Sequence, residues 1–94
     1  MPWKALRRST LTLPVLLTFL FRFGVPEAGR VTLRIYDVAG RLVRTLVDRF
    51  ESAGYHEAVW NGQTDSDAPA ASGPYFYRIA TPGGEETRKL ILLR

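Results

Sequence analysis

The chain has 94 residues, of which 46% are hydrophobic, 12% aromatic and 23% charged, which is the composition of one small folded domain rather than of a disordered chain. It contains no cysteine, which excludes disulfide bonds, thiolate zinc sites and cysteine nucleophiles. Thirteen Lys and Arg against nine Asp and Glu give a formal net charge of +4, but these cations are scattered, and nucleic-acid binding is not expected without one basic face or a known motif.

The N-terminal residues combine a basic start with an apolar run. Three cations precede the run from Leu11 to Phe21, which is the layout of a secretory signal. No clean cleavage site follows, and polar residues and a proline interrupt the run, whereas a transmembrane helix needs about 20 apolar residues. We predict that residues 1–18 are a signal-like or foreign segment. Contact with a membrane is expected only if residues 1–21 act as a signal or an anchor.

A β-strand competes with the signal interpretation at the end of this run. Phe19, Phe21 and Phe23 alternate with other residues, and this is strand periodicity rather than signal composition. The segment from Pro26 to Gly29 is typical of a turn. We therefore predict a strand over residues 19–25, at the start of a module that covers residues 19–94.

Short strands separated by turn residues account for the remainder of the chain. They are predicted over residues 31–36, 41–47, 55–60, 75–80 and 87–93. The hydrophobic spacing within residues 41–50 also fits a helical stripe, which leaves a helix there as an alternative. The predicted fold class is all-β: a small antiparallel β-sandwich of six to seven strands.

Four segments together resemble the Ig-like module of the bacterial flagellar hook-capping protein and its relatives. They are VTLRIYDVAGRLVRTL, AGYHEAVWNG, ASGPYFYRI and TRKLILLR. Closely similar modules lie at the C-terminus of secreted bacterial proteins, where they act as type IX secretion sorting domains. The resemblance covers about residues 19–94 and implies an Ig-like β-sandwich there, whereas residues 1–18 have no counterpart in it and are expected to be an unrelated N-terminal segment.

The resemblance implies structural roles for seven residues in turns and in the core. In the family, glycines form the hairpin turn, enter the next strand and flank the long loop, while an aromatic pair borders that loop. The corresponding residues are Gly40, Gly54, Trp60, Asn61, Gly62, Gly73 and Tyr75. The family usually has Asp where Asn61 lies, and commonly Asp-Gly where this chain has Asp67-Ala68. Both departures weaken the case for a carboxylate site in the loop.

Metal binding and catalysis have weak candidates. Asp65, Asp67 and Asn61 share one loop and offer the oxygen ligands that calcium uses, but no bidentate Glu closes the loop, and Asp is common in turns. The single histidine, His56, precedes Glu57 on a predicted strand, where a cross-strand or surface role is the usual one. No nucleophile elbow is present. We expect no metal, no cofactor and no enzymatic activity.

The C-terminal strand is the candidate partner-binding segment. It combines cations with aliphatic residues over Arg88, Lys89, Leu90, Ile91, Leu92, Leu93 and Arg94. In the sorting branch of the family, a basic strand at this position is part of what the secretion machinery recognises. The alternative is that its charges protect an edge strand from aggregation.

The expected function is that of a non-catalytic Ig-like module for protein export, sorting or cell-surface attachment. Its expected partners are proteins: a secretion or surface assembly, or other domains of a parent exoprotein. Its expected location is outside the cell or at the cell surface. The alternative is a structural domain of the hook-capping type that packs against partner subunits.

Overall fold

The computed structural model describes the backbone of residues 11–15 and the whole of residues 18–94. Seven strands lie in these ranges: β1 Leu11–Val15, β2 Thr18–Val25, β3 Gly29–Tyr36, β4 Leu42–Glu51, β5 Gly54–Trp60, β6 Gly73–Thr81 and β7 Gly84–Leu92. Every strand pairing is antiparallel. The all-β prediction is confirmed. The part of the chain that the structure describes holds no helix that could cross a membrane.

The strands form two sheets with one core between them. Sheet A has the order β1-β2-β5, and sheet B has the order β4-β3-β6-β7. The inward faces of both sheets and Ala70 of the loop between β5 and β6 supply the buried hydrophobic residues, which are Phe19, Phe21, Phe23, Val25, Val31, Leu33, Ile35, Val47, Trp60, Ala70, Tyr75, Tyr77, Ile79, Leu90 and Leu92. Because burial alternates along β2, β3 and β6, the two-residue period of the sequence identifies the inward faces of these strands.

Aromatic rings fill much of the space between the sheets. Phe21 of sheet A meets Tyr77 of sheet B edge to face, with ring centroids 4.8 Å apart. Phe19 stacks on its strand partner Trp60 at 5.9 Å. Large rings cover much apolar area per residue, which suits a domain of this size because its core has few residues to contribute.

Strand β4 departs from regular pairing at two places, and these explain its ambiguous sequence. Its partners along β3 skip Leu46 and then Val43, so that β4 has two extra residues relative to its neighbour. Both side chains are partly buried against the core. Such β-bulges shift the inward positions of a strand, and the resulting spacing mimics a helical stripe. The helix alternative for residues 41–50 is wrong.

Sheet A begins before the predicted start of the module. The backbone of Leu11–Val15 pairs along β2 from Arg22 to Thr18, so this part of the N-terminal segment is an edge strand of the sandwich rather than a segment unrelated to it. The apolar run that has the layout of a secretory signal also has the composition of a strand, which is the physical reason for the ambiguity. The signal or anchor interpretation of residues 1–18 stays a prediction, and residues 1–10 and 16–17 lie outside the described residues.

Two proline-containing turns interlock at one end of the sandwich. The turn between β2 and β3 contains Pro26 and ends at Gly29, and the β6–β7 hairpin turns at Pro82 and Gly83. A methyl group on Gly29 would overlap the ring of Pro82, and one on Gly83 would lie 2.5 Å from Cγ of Pro26. Each glycine therefore provides the room that the opposite proline ring occupies.

We expect Gly29→Ala to destabilise the module by about 1–3 kcal/mol, because a methyl group forced into a packed contact displaces a rigid ring or the backbone. The free energy of unfolding is measured by urea denaturation. In the Pro82→Ala background the same substitution should cost much less, since the overlapping ring is absent. If Gly29→Ala destabilised both backgrounds equally, overlap with the Pro82 ring would not be the cause of its effect.

Candidate functional site

Two aromatic residues hold the ends of the long loop between β5 and β6. Trp60 is fully buried, and its indole Nε1 donates to the carbonyl oxygen of Gln63 at 2.8 Å. The hydroxyl of Tyr75 donates to the carbonyl oxygen of Ala71 at 2.6 Å. The two rings meet edge to face, with centroids 5.5 Å apart. One ring contact in the core thus fixes both ends of the loop.

The loop itself is compact and hydrogen-bonded. Gly62 has a φ of +77° and accepts a 2.8 Å hydrogen bond from the backbone N–H of Ala70, which is buried. Asn61 accepts from the backbone N–H of Gln63 through Oδ1 at 3.1 Å, as an Asp at this position would. Asp67 also lies at positive φ, +64°, which Asp tolerates better than most residues. The family-implied turn residues Asn61 and Gly62 therefore shape the loop.

The loop carboxylates contact β4 and do not converge on one centre. Oδ1 of Asp65 accepts from the backbone N–H of Thr45 at 3.1 Å, and the backbone N–H of Asp65 donates to the carbonyl of Val43 at 2.9 Å. Arg44 donates to Thr64 O at 2.7 Å and to Oδ1 of Asp67 at 3.1 Å. Within residues 18–94, no three His, Asp or Glu side chains cluster in a way that could hold a metal ion.

These contacts cover part of the β4 edge of sheet B. They occur where the bulges have broken the regular pairing, and they satisfy backbone groups that an edge strand would otherwise leave open. Arg44 has a central role in this arrangement, and nothing in the sequence pattern distinguishes it from the other scattered cations.

The other three family-implied glycines lie where the backbone has positive φ. Gly40, at +84°, turns the β3–β4 hairpin; Gly54, at +127°, begins β5; and Gly73, at +142°, begins β6.

In the β3–β4 hairpin, Oδ1 of Asp37 accepts from the backbone N–H of Ala39 at 3.0 Å and of Arg41 at 2.9 Å. Nε of Arg41 donates to Oδ2 of Asp37 at 2.9 Å. The hydrogen bond from the Arg41 backbone is the main cause that lowers the pKa of Asp37 below its ordinary value of 3.8.

The predicted partner strand divides into an inward and an outward row. Leu90 and Leu92 are buried in the core, whereas Lys89 and Ile91 face solvent. Arg88 is opposite the buried Tyr77, so it belongs to the inward row, and it pairs with Glu86 at 2.9 Å. Leu93 follows the strand and is exposed.

Arg94 folds back onto the long loop and is not part of the exposed strand. Its guanidinium donates through Nε to the carbonyl of Ala70 at 2.7 Å and through Nη2 to that of Gly62. Its backbone N–H donates to Oγ of Ser72 at 3.0 Å. This residue therefore fastens the last strand to the loop, a role that the sequence pattern does not indicate.

β7 is the open edge of sheet B. Within the described residues it pairs with β6 alone, while the opposite edge, β4, is covered in part by the loop. An edge strand presents unpaired backbone groups that can accept an additional strand from another protein.

The single histidine has structural partners. Its Nε2 lies 2.8 Å from the carbonyl oxygen of Ser52, its Nδ1 lies 3.9 Å from Oε1 of Glu51, and its ring stacks on Phe23 at 5.9 Å. His56 therefore joins the β4–β5 connection to sheet A.

The lowered pKa of Asp37 predicts a pH-dependent contribution to stability. Because the carboxyl group titrates at lower pH in the folded chain than in the unfolded chain, its stabilisation is present above the ordinary pKa and is lost as pH falls through the folded value. We expect Asp37→Asn to be less stable than the parent chain at neutral pH, with the difference vanishing in acid. Urea denaturation at several pH values tests this, and a difference that is constant or that grows toward low pH would contradict it.

The contacts of Arg94 predict a local effect. Arg94→Met keeps the aliphatic stem but removes the donors to the loop carbonyls. We expect the Ala70 amide to exchange its hydrogen about tenfold faster, because the carbonyl of Gly62, which accepts the hydrogen bond of this amide, loses its charged donor. Arg22→Met, on the outer face of sheet A, is the control and should leave this amide unchanged. Equal exchange rates in all three proteins would show that Arg94 does not hold the loop.

Comparisons with known proteins bear on the fold and the family. Among solved structures, dimeric latent PorU from Porphyromonas gingivalis matches 90% of this chain with a TM-score of 0.69 and 23% identity. PorZ, an essential surface component of the type IX secretion system of that bacterium, matches 96% with a TM-score of 0.66 and 14% identity. FlgD from P. aeruginosa matches 89% with a TM-score of 0.59 and 19% identity. No curated protein sequence matches significantly.

The chain spans 9% of PorU, 12% of PorZ and 66% of that FlgD. At these identities the structural matches establish the fold. The family follows from the sequence profile described as the FlgD Ig-like domain, which matches residues 21–85 and so includes β3 to β6 and most of β2. The chain belongs to the FlgD Ig-like domain family.

Proposed function

We propose that this chain is a non-catalytic module that a protein export or cell-surface assembly binds through β7, and that it acts outside the cell or at its surface. The observation that carries the proposal is the division of β7 into two rows. Leu90 and Leu92 hold the strand in the core, while Lys89 and Ile91 are presented to solvent along an edge that no other described strand covers.

This geometry supports binding by strand addition. Backbone N–H and C=O groups along an open edge give affinity to an added strand, and outward side chains select its sequence. The structural match to PorZ, which is a surface component of a secretion system, is consistent with an assembly of this kind.

A second candidate function is that of a hook-capping-type domain that packs against partner subunits. It is favoured by the family assignment and by the structural match to FlgD of P. aeruginosa. The neighbouring DNA distinguishes the two: flagellar genes beside this one favour packing in a flagellar assembly, while a long exoprotein reading frame directly upstream favours export or sorting.

The test of the β7 proposal uses point substitutions, because deletion of the strand would also remove two core residues and the loop contacts of Arg94. Ile91→Asp changes the outward row of β7, where the parent side chain is 47% exposed. Val59→Asp is the matched control, since Val59 is 56% exposed on the outer face of β5, which is an edge strand of sheet A.

We expect a periplasm-directed reporter, fused ahead of the full chain in a bacterium with a type IX secretion system, to reach the cell surface. Ile91→Asp should lower the surface-attached fraction at least about fivefold, as loss of a central interface side chain does, while Val59→Asp should not. Urea denaturation of both variants shows whether they remain folded. Equal export of the two folded variants would overturn the role of β7, and retention of the parent fusion in the periplasm would overturn the export proposal.

A further inference from the structure

The outer face of sheet B carries a groove that extends from the β3–β4 hairpin to β7. It has a volume of about 400 Å³, and its lining includes Tyr36, Val38, Phe76, Arg78 and Thr87. It runs beside the β3–β4 hairpin, whose tip presents Val38 with 67% of its surface exposed. The groove is therefore open to a ligand, and the side chains that line it are not part of the hydrophobic core.

The floor of the groove is aromatic. Tyr36 and Phe76 are directly opposite each other on β3 and β6, and both lie at outward positions, since their strand neighbours Ile35, Tyr75 and Tyr77 are buried. Both residues are partly buried and keep some exposed surface. A pair of half-exposed rings on a rigid sheet offers an apolar surface at little cost in side-chain entropy.

One wall of the groove carries a cation that no carboxylate of the described residues pairs with. Cζ of Arg78 lies 5.6 Å from the centroid of the Tyr36 ring, and its Nε donates to Oγ1 of Thr87 at 3.4 Å. Within residues 18–94, no Asp or Glu lies within ion-pair distance of Arg78. Its terminal guanidinium nitrogens remain available as donors, already oriented by the ring and the hydroxyl.

A second cation lies directly beside Arg78 in the strand register. Arg78 is directly opposite Arg34 in the strand register, and like charges at such positions repel each other. Arg34 has a counterion in Asp48, at 3.5 Å, whereas Arg78 has none among these residues. Lys89, opposite Phe76, adds a positive charge on the same face, and Glu85, opposite Ala80, adds a negative one. An anionic ligand would relieve this repulsion.

The acidic residue at the end of the groove does not oppose such a ligand strongly. Asp37 lines the groove, but its two carboxylate oxygens accept hydrogen bonds from the hairpin backbone and from the Arg41 guanidinium. Its charge is therefore compensated within its own turn.

We propose that this groove binds an acidic peptide segment of a partner protein, with an apolar or aromatic side chain on Tyr36 and Phe76 and a carboxylate on Arg78. The combination of an aromatic floor and one oriented guanidinium fits a short peptide that carries a carboxylate beside an apolar side chain. This site shares Thr87 with β7 but uses the face of sheet B rather than the backbone edge of that strand, and it does not depend on the proposed role in export.

The probe is the peptide Gly-Asp-Phe-Glu-Phe-Asp-Gly, blocked at both ends and titrated into the purified full chain under observation by two-dimensional NMR. We expect saturable shifts of the Tyr36, Val38, Phe76 and Arg78 amides. The apparent Kd should rise with salt, because charge pairs at the surface are screened. Arg78→Gln should raise it about tenfold, by loss of a charged donor. Arg22→Gln, which removes the same charge from the outer face of sheet A, should leave it unchanged.

Two further measurements make the outcome decisive. The neutral peptide with Asn and Gln in place of Asp and Glu should bind at least about fivefold more weakly, because it cannot form the charged pair. Phe76→Thr, a strand-compatible change at an outward position, should weaken both peptides. An absence of saturable shifts, equal binding by Arg78→Gln and the parent chain, or tighter binding of an oligothymidylate of the same charge would each overturn the proposal.

Discussion

The contact of Trp60 with Tyr75 is the interaction on which the rest of the structure depends. Trp60 ends the last strand of sheet A and Tyr75 lies near the start of β6 in sheet B, so their rings join the two layers across the core. Their polar groups then reach out of the core to the carbonyls at both ends of the long loop. A buried ring with one polar group can pack between the sheets and also hold the loop, because its apolar body lies in the core while its donor reaches a loop carbonyl.

The position of the loop determines which edges and faces remain available. Since the loop is held at both ends, Asp65 and Arg44 can fasten it along the bulged part of β4, and Arg94 can fasten it to the end of β7. One edge of sheet B is thereby covered while the outward row of β7 remains open. The two proposed contact regions, the β7 edge and the groove at the β3–β4 hairpin, both lie on sheet B. Sheet A contributes mainly to the core.

The strands that follow a strict two-residue alternation could be predicted from the sequence. The sequence of β4 does not follow it, and it fitted a helix as well as a strand. In β2, β3 and β6 each apolar residue of the inward row is buried, so the period alone identifies the face. In β4 the extra residues Val43 and Leu46 break the period. A bulge depends on the register with a neighbouring strand, and register is a property of the folded sheet rather than of any one segment.

Residue type and order by themselves determined the all-β class, while the turn glycines and the aromatic pair that borders the loop were implied by the family resemblance. These depend on local backbone preference and on the need to bury large rings in a small domain. Tertiary structure alone decided how the C-terminal cations are used. Lys89 faces solvent, Arg88 pairs with Glu86 and Arg94 binds the loop. The three are chemically similar along the chain, and they differ only because strand parity and the path of a distant loop give each a different set of acceptors.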